Sequence, residues 1–166
     1  MTSDPDRQLP QGDPRPLIGE PLSLDLLTTR WRDAEGPRDL LESTEGLRIW
    51  LGSAGLADRT AADRPTLDAL LDVRDALLEL VRHGNSPEAS AALDRTLSHG
   101  HIRRSLGPEG VRETLETDDP AYLAAWLAAD DCLRLLQSAP TRIRRCAHPE
   151  CVLHFHDISK NGTRRW

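Results

Sequence analysis

The sequence predicts a mainly helical α+β fold with a small β-hairpin in its body and an extended C-terminal segment. Apolar residues recur at helical spacing in several long segments, which indicates amphipathic helices. Short alternating runs on either side of Gly107-Pro108 favour a β-hairpin, and Asn161-Gly162 predicts a tight hairpin turn near the C-terminal end. With 166 residues and 38% hydrophobic content, the chain can bury one sizeable core. We therefore expect one main domain with a small appendage.

Residues 1–19 are predicted to form a disordered leader. Residues 1–21 hold five of the twelve prolines, and no apolar run follows a basic start, so we expect neither a signal peptide nor a membrane span. Three cysteines, two of them closely spaced, do not make a disulfide framework. This cysteine content favours a reducing cytoplasm and the use of the paired thiols as metal ligands.

Three helices are predicted in the first half of the chain. The first runs from about Leu22 to Trp31, with its leucines on one side. The second follows Ser43, a good N-cap, and ends at Gly55, a good C′ residue. The third, "RPTLDALLDVRDALLELVRHGN", is the strongest helix signal, because its leucines recur at helical spacing and a proline occupies its first turn.

The second half is predicted to continue with a helix, a hairpin and a last long helix. Ser86-Pro87 and Gly100 bound the fourth helix. The runs "HIRRSL" and "GVRETLET" form the predicted hairpin. Asp119 is the expected N-cap of the last helix, in which Cys132 flanks the apolar face and is expected to behave as a small buried hydrophobe.

Arg74 interrupts the apolar stripe of the third helix. A charged side chain that faces a core needs a partner, because an unpaired buried charge is very costly. The simpler interpretation is a structural ion pair with Asp25, which lies among leucines of the first helix. The alternative makes Arg74, together with Arg30 or Arg32, the floor of a pocket for a small anionic effector.

The charge of the chain is strongly asymmetric. Residues 142–166 carry six basic and two acidic side chains, a net charge of +4, whereas the preceding residues carry 15 basic and 25 acidic ones, a net charge of −10. A basic tail on an acidic body is either a solvated end or a surface for nucleic acid. The candidate DNA contacts are Arg142, Arg144, Arg145, Lys160, Arg164 and Arg165.

The tail also carries a recognisable motif. The pair Cys146-x4-Cys151, followed by Phe155, Asp157 and "SKNGTRRW", resembles the CGNR-type zinc finger. Upstream, "PLSLDLLTTRWRD", "DLLESTEGLRIWLGSAGL" and "LLDVRDALLELV" resemble the ABATE domain, which precedes this finger in bacterial proteins proposed to be stress-induced transcription regulators. The resemblance implies an ABATE-like helical domain over residues 20–140 and the N-terminal half of a zinc finger over residues 141–166.

Zinc ligation is incomplete in this motif. A tetrahedral site needs four ligands, and Cys146 and Cys151 supply two, so we expect weak or partial zinc binding. The favoured explanation is a chain cut before the family's second cysteine pair. A second explanation recruits His148, His154 or His156, although we expect these to be exposed hairpin side chains without metal. A third has two chains share one zinc at the axis of a homodimer.

No glycine-rich phosphate loop, nucleophile elbow or zinc-protease motif occurs in the sequence, so we do not expect an enzyme. The preferred interpretation is a cytoplasmic transcription regulator, with a helical domain for sensing or dimerisation and a finger that binds DNA weakly in this chain. The alternative is a small-molecule-binding or catalytic domain with an anion pocket near Arg74 and a vestigial finger.

Overall fold

The computed structural model describes residues 12–165 and shows a mixed α+β fold, as the sequence predicted. The described residues form five α-helices and three antiparallel two-stranded sheets. The helices are α1 (Leu22–Leu27), α2 (Thr44–Ser53), α3 (Arg64–His83), α4 (Pro87–Leu97) and α5 (Leu123–Ser138). The strands are β1 (Arg30–Asp33), β2 (Gly36–Asp39), β3 (Gly100–Gly107), β4 (Gly110–Thr117), β5 (Ile143–Arg145) and β6 (His154–His156).

Helix α3 lies at the centre of the body and follows the prediction closely. Asp63 caps its N-terminus by accepting a hydrogen bond from the backbone N–H of Thr66, and Pro65 occupies the first turn. Gly84 ends the helix with a positive φ of 79°, which glycine adopts without strain. One face of α3 is fully buried against α1, α4 and α5. On α5 this core is built largely from alanines, which let the two helices approach closely.

The first helix is shorter than predicted. α1 ends at Leu27, and Trp31 lies in strand β1 instead of closing the helix. The two threonines that follow α1 are β-branched and turn the chain into a hairpin, in which β1 pairs with β2 from Arg30 opposite Asp39 to Asp33 opposite Gly36. This small hairpin was missed because its strands carry more charged than apolar residues.

The remaining elements of the body agree with the sequence. Ser43 and Ser86 cap α2 and α4, and β3 pairs with β4 along the full length of the predicted hairpin. Asp119 caps the last helical segment, but its first turn, Pro120–Tyr122, is a 3-10 turn. Cys132 is buried as expected, and burial together with Asp131 raises the pKa of its thiol to about 11.

The N-terminal segment departs from the prediction of a disordered leader over residues 12–19. Arg15 is buried and donates to the carboxylates of Asp13 and Asp25 at 2.8 and 2.9 Å. Leu17 is buried in a second small core. The prolines prevent a helix here, but they do not prevent burial, because side chains of the segment contact residues of the body. Residues 1–11 of the predicted leader lie outside the described residues.

Candidate functional site

The two cysteines lie on a knuckle between strands β5 and β6. These strands pair with Ile143 opposite His156. At the open end, the N–H of Cys146 donates to the carbonyl of Leu153 at 2.9 Å, and the N–H of Cys151 donates to the carbonyl of His148 at 3.0 Å. The chain between the cysteines therefore folds back as a tight turn that brings the thiols together.

The thiols are close enough to affect each other. Burial and a hydrogen bond with the Cys146 side chain raise the pKa of the Cys151 thiol. A bound zinc ion would favour the deprotonated thiols and so oppose this increase in pKa, since zinc binds thiolates. In residues 12–165, however, no group of three or more Cys, His, Asp or Glu side chains is arranged to hold a metal. The residues present therefore fit two of the four positions of a zinc site.

The histidines do not complete the site. His154 was expected to be exposed, but it is only 3% exposed, and its Nδ1 atom has no hydrogen-bond partner among the residues that the structure describes. Burial, with Arg82 and Arg145 nearby, lowers its pKa to about 4. His148 is exposed, and its ring accepts a hydrogen bond from the N–H of Glu150 at 3.3 Å.

The turn at Asn161-Gly162 forms, but not the hairpin predicted from it. Gly162 has φ of 62°, and the preceding bend is fixed by Asp157, whose carboxylate accepts from the N–H and hydroxyl of Ser159. Residues 163–165 form no strand, and β6 pairs with β5 instead. Trp166 lies outside the described residues.

Four of the predicted DNA-contacting arginines converge on one surface. Beside the knuckle is a cleft of about 340 Å³. We call it the arginine cleft, and its charged lining residues are Arg144, Arg145, Arg164 and Arg165. Side chains of this kind hold phosphate groups by paired hydrogen bonds.

The other two basic residues differ from these four. Arg142 donates to the carbonyls of Asp157 and Ser159 at 3.3 and 2.7 Å, so it braces the turn of the finger. Lys160 is exposed and does not line the cleft. The structure thus separates the six residues into a cleft, a brace and a peripheral lysine.

The finger segment is attached to the body through the N-terminal segment. Leu17 packs with Cys146, Leu153 and Phe155 in the second core. Glu20 accepts the N–H of His156 at 2.7 Å and lies 3.9 Å from the guanidinium of Arg164. The role of Glu20 was not predicted from the sequence, because nothing in a proline-rich segment signals contact with residues more than 130 positions away.

Arg74 is buried and paired, but not with Asp25. Its guanidinium makes two hydrogen bonds with the carboxylate of Asp39, at 2.7 and 2.8 Å, and a third with the hydroxyl of Thr29. Asp25 instead accepts from Arg15 and from the indole N–H of Trp50. The predicted Asp25–Arg74 pair is therefore wrong, because the unforeseen β1–β2 hairpin brings Asp39 closer.

The pairing shifts the acid–base behaviour of Asp39. Burial alone would raise its pKa, but the hydrogen bonds and charge of Arg74, with a further bond from Arg30, outweigh burial and hold the pKa below its usual value. Arg30, Arg32 and Arg74 line one cavity of about 360 Å³ between the β1–β2 hairpin, α3 and the knuckle. These three arginines were predicted as candidates for one pocket, whereas Arg38 and Arg82, which line the same cavity, were not.

Comparison with known families finds two matches along the chain. Residues 20–139 match the ABATE family, described as "Putative stress-induced transcription regulator", and residues 142–166 match the CGNR zinc finger. No curated protein matches the chain closely enough to count as a relative. Within residues 12–165, no helix is long and apolar enough to cross a membrane. Because the first match covers most of the chain, the protein belongs to the ABATE family and carries a CGNR zinc-finger segment at its C-terminal end.

Proposed function

We propose that this protein is a cytoplasmic regulator that binds DNA through its finger segment and has no enzymatic role. The observation that carries the proposal is the arginine cleft beside the cysteine knuckle. Cationic side chains gathered at one place can neutralise neighbouring phosphates, whereas scattered cations on an acidic protein are opposed by the rest of its surface. The net charge of −6 for the whole chain makes such local concentration necessary.

The proposed contacts are not equivalent. Arg144, Arg145 and Arg165 are exposed, so their guanidinium groups can reach phosphate groups. Arg144 and Arg145 make long hydrogen bonds to the carbonyls of Gly162 and Cys151, at 3.4 and 3.3 Å. Arg164 is half-buried and stacks over the Phe155 ring, with its central carbon 4.9 Å from the ring centroid. We therefore assign Arg164 a double role, in holding the finger and in binding DNA.

Zinc binding is part of the same proposal. Cys146 and Cys151 are proposed as two of its four ligands, with the other two from outside the described residues or from a second chain. In the shared arrangement the protein is a homodimer in which each chain contributes both thiols. The metal would fix the knuckle, and the cleft beside it would then hold its arginines in a set geometry.

The DNA test measures salt dependence by fluorescence anisotropy with a labelled random duplex. Four cleft arginines predict a slope of log affinity against log salt of about −3.6, since each phosphate contact contributes about −0.9. The double variant Arg144→Gln/Arg165→Gln should reduce the slope by about two units. Arg95→Gln, an exposed arginine on α4, is the matched control and should leave it unchanged. An equal slope in the double variant and in the control would overturn the assignment of DNA binding to the cleft.

The zinc test uses elemental analysis of the 166-residue chain together with its mass in solution. Two thiolates per chain should hold less than one ion per monomer, and Cys146→Ser should remove that zinc. One ion per dimer would support a site shared between chains. Tight binding of one ion to a monomer would contradict the two-ligand site and would require ligands among the histidines.

A further inference from the structure

We propose that the cavity between the β1–β2 hairpin, helix α3 and the cysteine knuckle binds a small organic carboxylate with an apolar body. We call this cavity the seam pocket. Its residues come from both parts of the protein: most belong to the ABATE domain, and Val152 belongs to the finger segment. The binding step is independent of the proposed DNA function. Any effect of the ligand on DNA affinity would rest on that function.

The size and walls of the seam pocket fit a small ligand. Its volume of about 360 Å³ lies near the lower end of the range for small-molecule sites, about 300–1,000 Å³. The apolar part of its lining consists of Leu27, Trp31, Pro37, Leu78 and Val152. Such a wall favours a ligand with a flat or aliphatic body, because a small inorganic anion would leave this surface in contact with water.

The charges of the seam pocket favour an anion. Five of its lining side chains are arginines and two, Asp39 and Glu42, are carboxylates. Asp39 is already shared by Arg74 and Arg30, with nitrogen–oxygen distances of 2.7 and 3.0 Å. The Arg74–Asp39 pair therefore forms a fixed polar floor whose charges largely cancel.

Beyond the paired side chains, two arginines and the carboxylate of Glu42 line the pocket, so its net charge remains positive. Arg38 is paired with Asp33 and Glu35 outside the cavity. Arg32 and Arg82 line the cavity from opposite parts of the fold, β1 and α3, and neither forms a salt bridge within residues 12–165. Two guanidinium groups facing one apolar-walled cavity can bind one carboxylate from both sides.

Val152 connects the seam pocket to the cysteine knuckle. This residue directly follows Cys151, so a ligand that packs against it touches the knuckle and the ABATE domain at once. Filling the cavity would add contacts between the two parts. A ligand here can therefore change how firmly the knuckle is held, without touching the arginine cleft.

The test uses cinnamate as the probe and cinnamamide, its uncharged amide, as the comparison. Both are titrated calorimetrically into the 166-residue chain at low salt. A ligand of this size that uses its atoms well should reach a Kd of about 1 mM or tighter. Cinnamamide should bind about tenfold more weakly, because it cannot form the charged hydrogen bonds.

Four variants separate the seam pocket from non-specific binding. Arg32→Gln and Arg82→Gln should each weaken cinnamate about tenfold and leave cinnamamide unchanged. Val152→Ala should weaken both ligands about fourfold, because it removes apolar contact. Arg112→Gln, an exposed arginine on β4, is the charge-matched control and should change neither.

Several outcomes would overturn the proposal. They are the absence of saturable cinnamate binding, equal affinity for cinnamate and cinnamamide, and equal effects of Arg82→Gln and Arg112→Gln. Unchanged affinity in Val152→Ala would overturn the placement at the seam. None of these measurements uses DNA, so a failed DNA test leaves their result standing, and the reverse also holds.

Discussion

Replacing Asp39 by Ala is the sharpest test of how the body of the protein is held together. The side chain of Arg74 is 1% exposed, and its two strongest partners are the carboxylate oxygens of Asp39 at 2.7 and 2.8 Å. The substitution leaves the guanidinium buried with only the hydroxyl of Thr29. Removing one member of a buried ion pair costs about 3–5 kcal/mol, because the remaining charge is uncompensated. We expect a loss of this size in the free energy of unfolding.

Replacing Arg74, the cation of the pair, should destabilise the protein less than replacing Asp39. In Arg74→Met the remaining carboxylate is 27% exposed and keeps its ion pair with Arg30 at 3.0 Å, so water and a second cation still stabilise it. Methionine also fills part of the space of the arginine stem. We expect a cost of about 1–2 kcal/mol. The double variant Arg74→Met/Asp39→Ala should be more stable than Asp39→Ala alone, since it removes the orphaned charge.

The assay is urea denaturation at neutral pH with a chelator present, followed by helical circular dichroism. Arg30→Gln is the matched control, because Arg30 also binds Asp39 but its side chain is 43% exposed, and it should cost at most about 1 kcal/mol. If Asp39→Ala lowers the free energy of unfolding by no more than Arg74→Met does, Arg74 is not left as an uncompensated buried charge. If both cost nothing, Arg74 is solvated in solution.

Two further predictions concern the metal and pH. A strong chelator should leave most of the helical signal intact, because the main core lies entirely within the body and the thiol pair belongs to the second core; loss of most helicity at room temperature would contradict this. The pKa of His154 is lowered to about 4 in the folded protein, whereas in the unfolded chain it is near 6.5. The unfolded chain therefore binds the proton first as the pH drops. The free energy of unfolding should be highest above pH 6.5 and should fall by up to about 3 kcal/mol between pH 6.5 and pH 4. In urea titrations across this range His154→Leu should show a weaker pH dependence than the unsubstituted chain, and identical pH dependence would show that His154 is accessible to protons in the folded state.

Local patterns in the sequence predicted most of the helices and the long hairpin. The Ser43 hydroxyl accepts a hydrogen bond from the backbone N–H three residues on, and the positive φ at residue 84 favours glycine, so these signals depend on a few neighbouring residues. The apolar stripe of α3 also correctly placed Arg74 in the core. The cysteine pair and the basic tail could be read in the same way, because each is contiguous.

The errors concern contacts between distant residues. The partner of Arg74 lies 35 positions away on a hairpin made of charged residues, which periodicity does not detect. Arg15 lies among prolines that indicate disorder, yet it finds two carboxylates on folding. His154 is buried together with its neighbours Leu153 and Phe155, and the alternation rule does not predict a strand that is covered on both sides. In each case tertiary packing supplied a partner or a cover that no local rule specifies.

The attachment of the finger segment explains how it can be ordered with only two metal ligands. A segment of about 25 residues is too short to build its own core, and such units usually need a metal or disulfides. Here Leu17 adds an apolar side chain to Cys146 and Phe155, and Glu20 fixes the backbone of His156. The body therefore supplies part of the order that a metal supplies in an isolated finger. It follows that changes in the body near residues 12–20 or in the seam pocket can reach the knuckle directly, because the two parts share a core instead of being joined by a free linker.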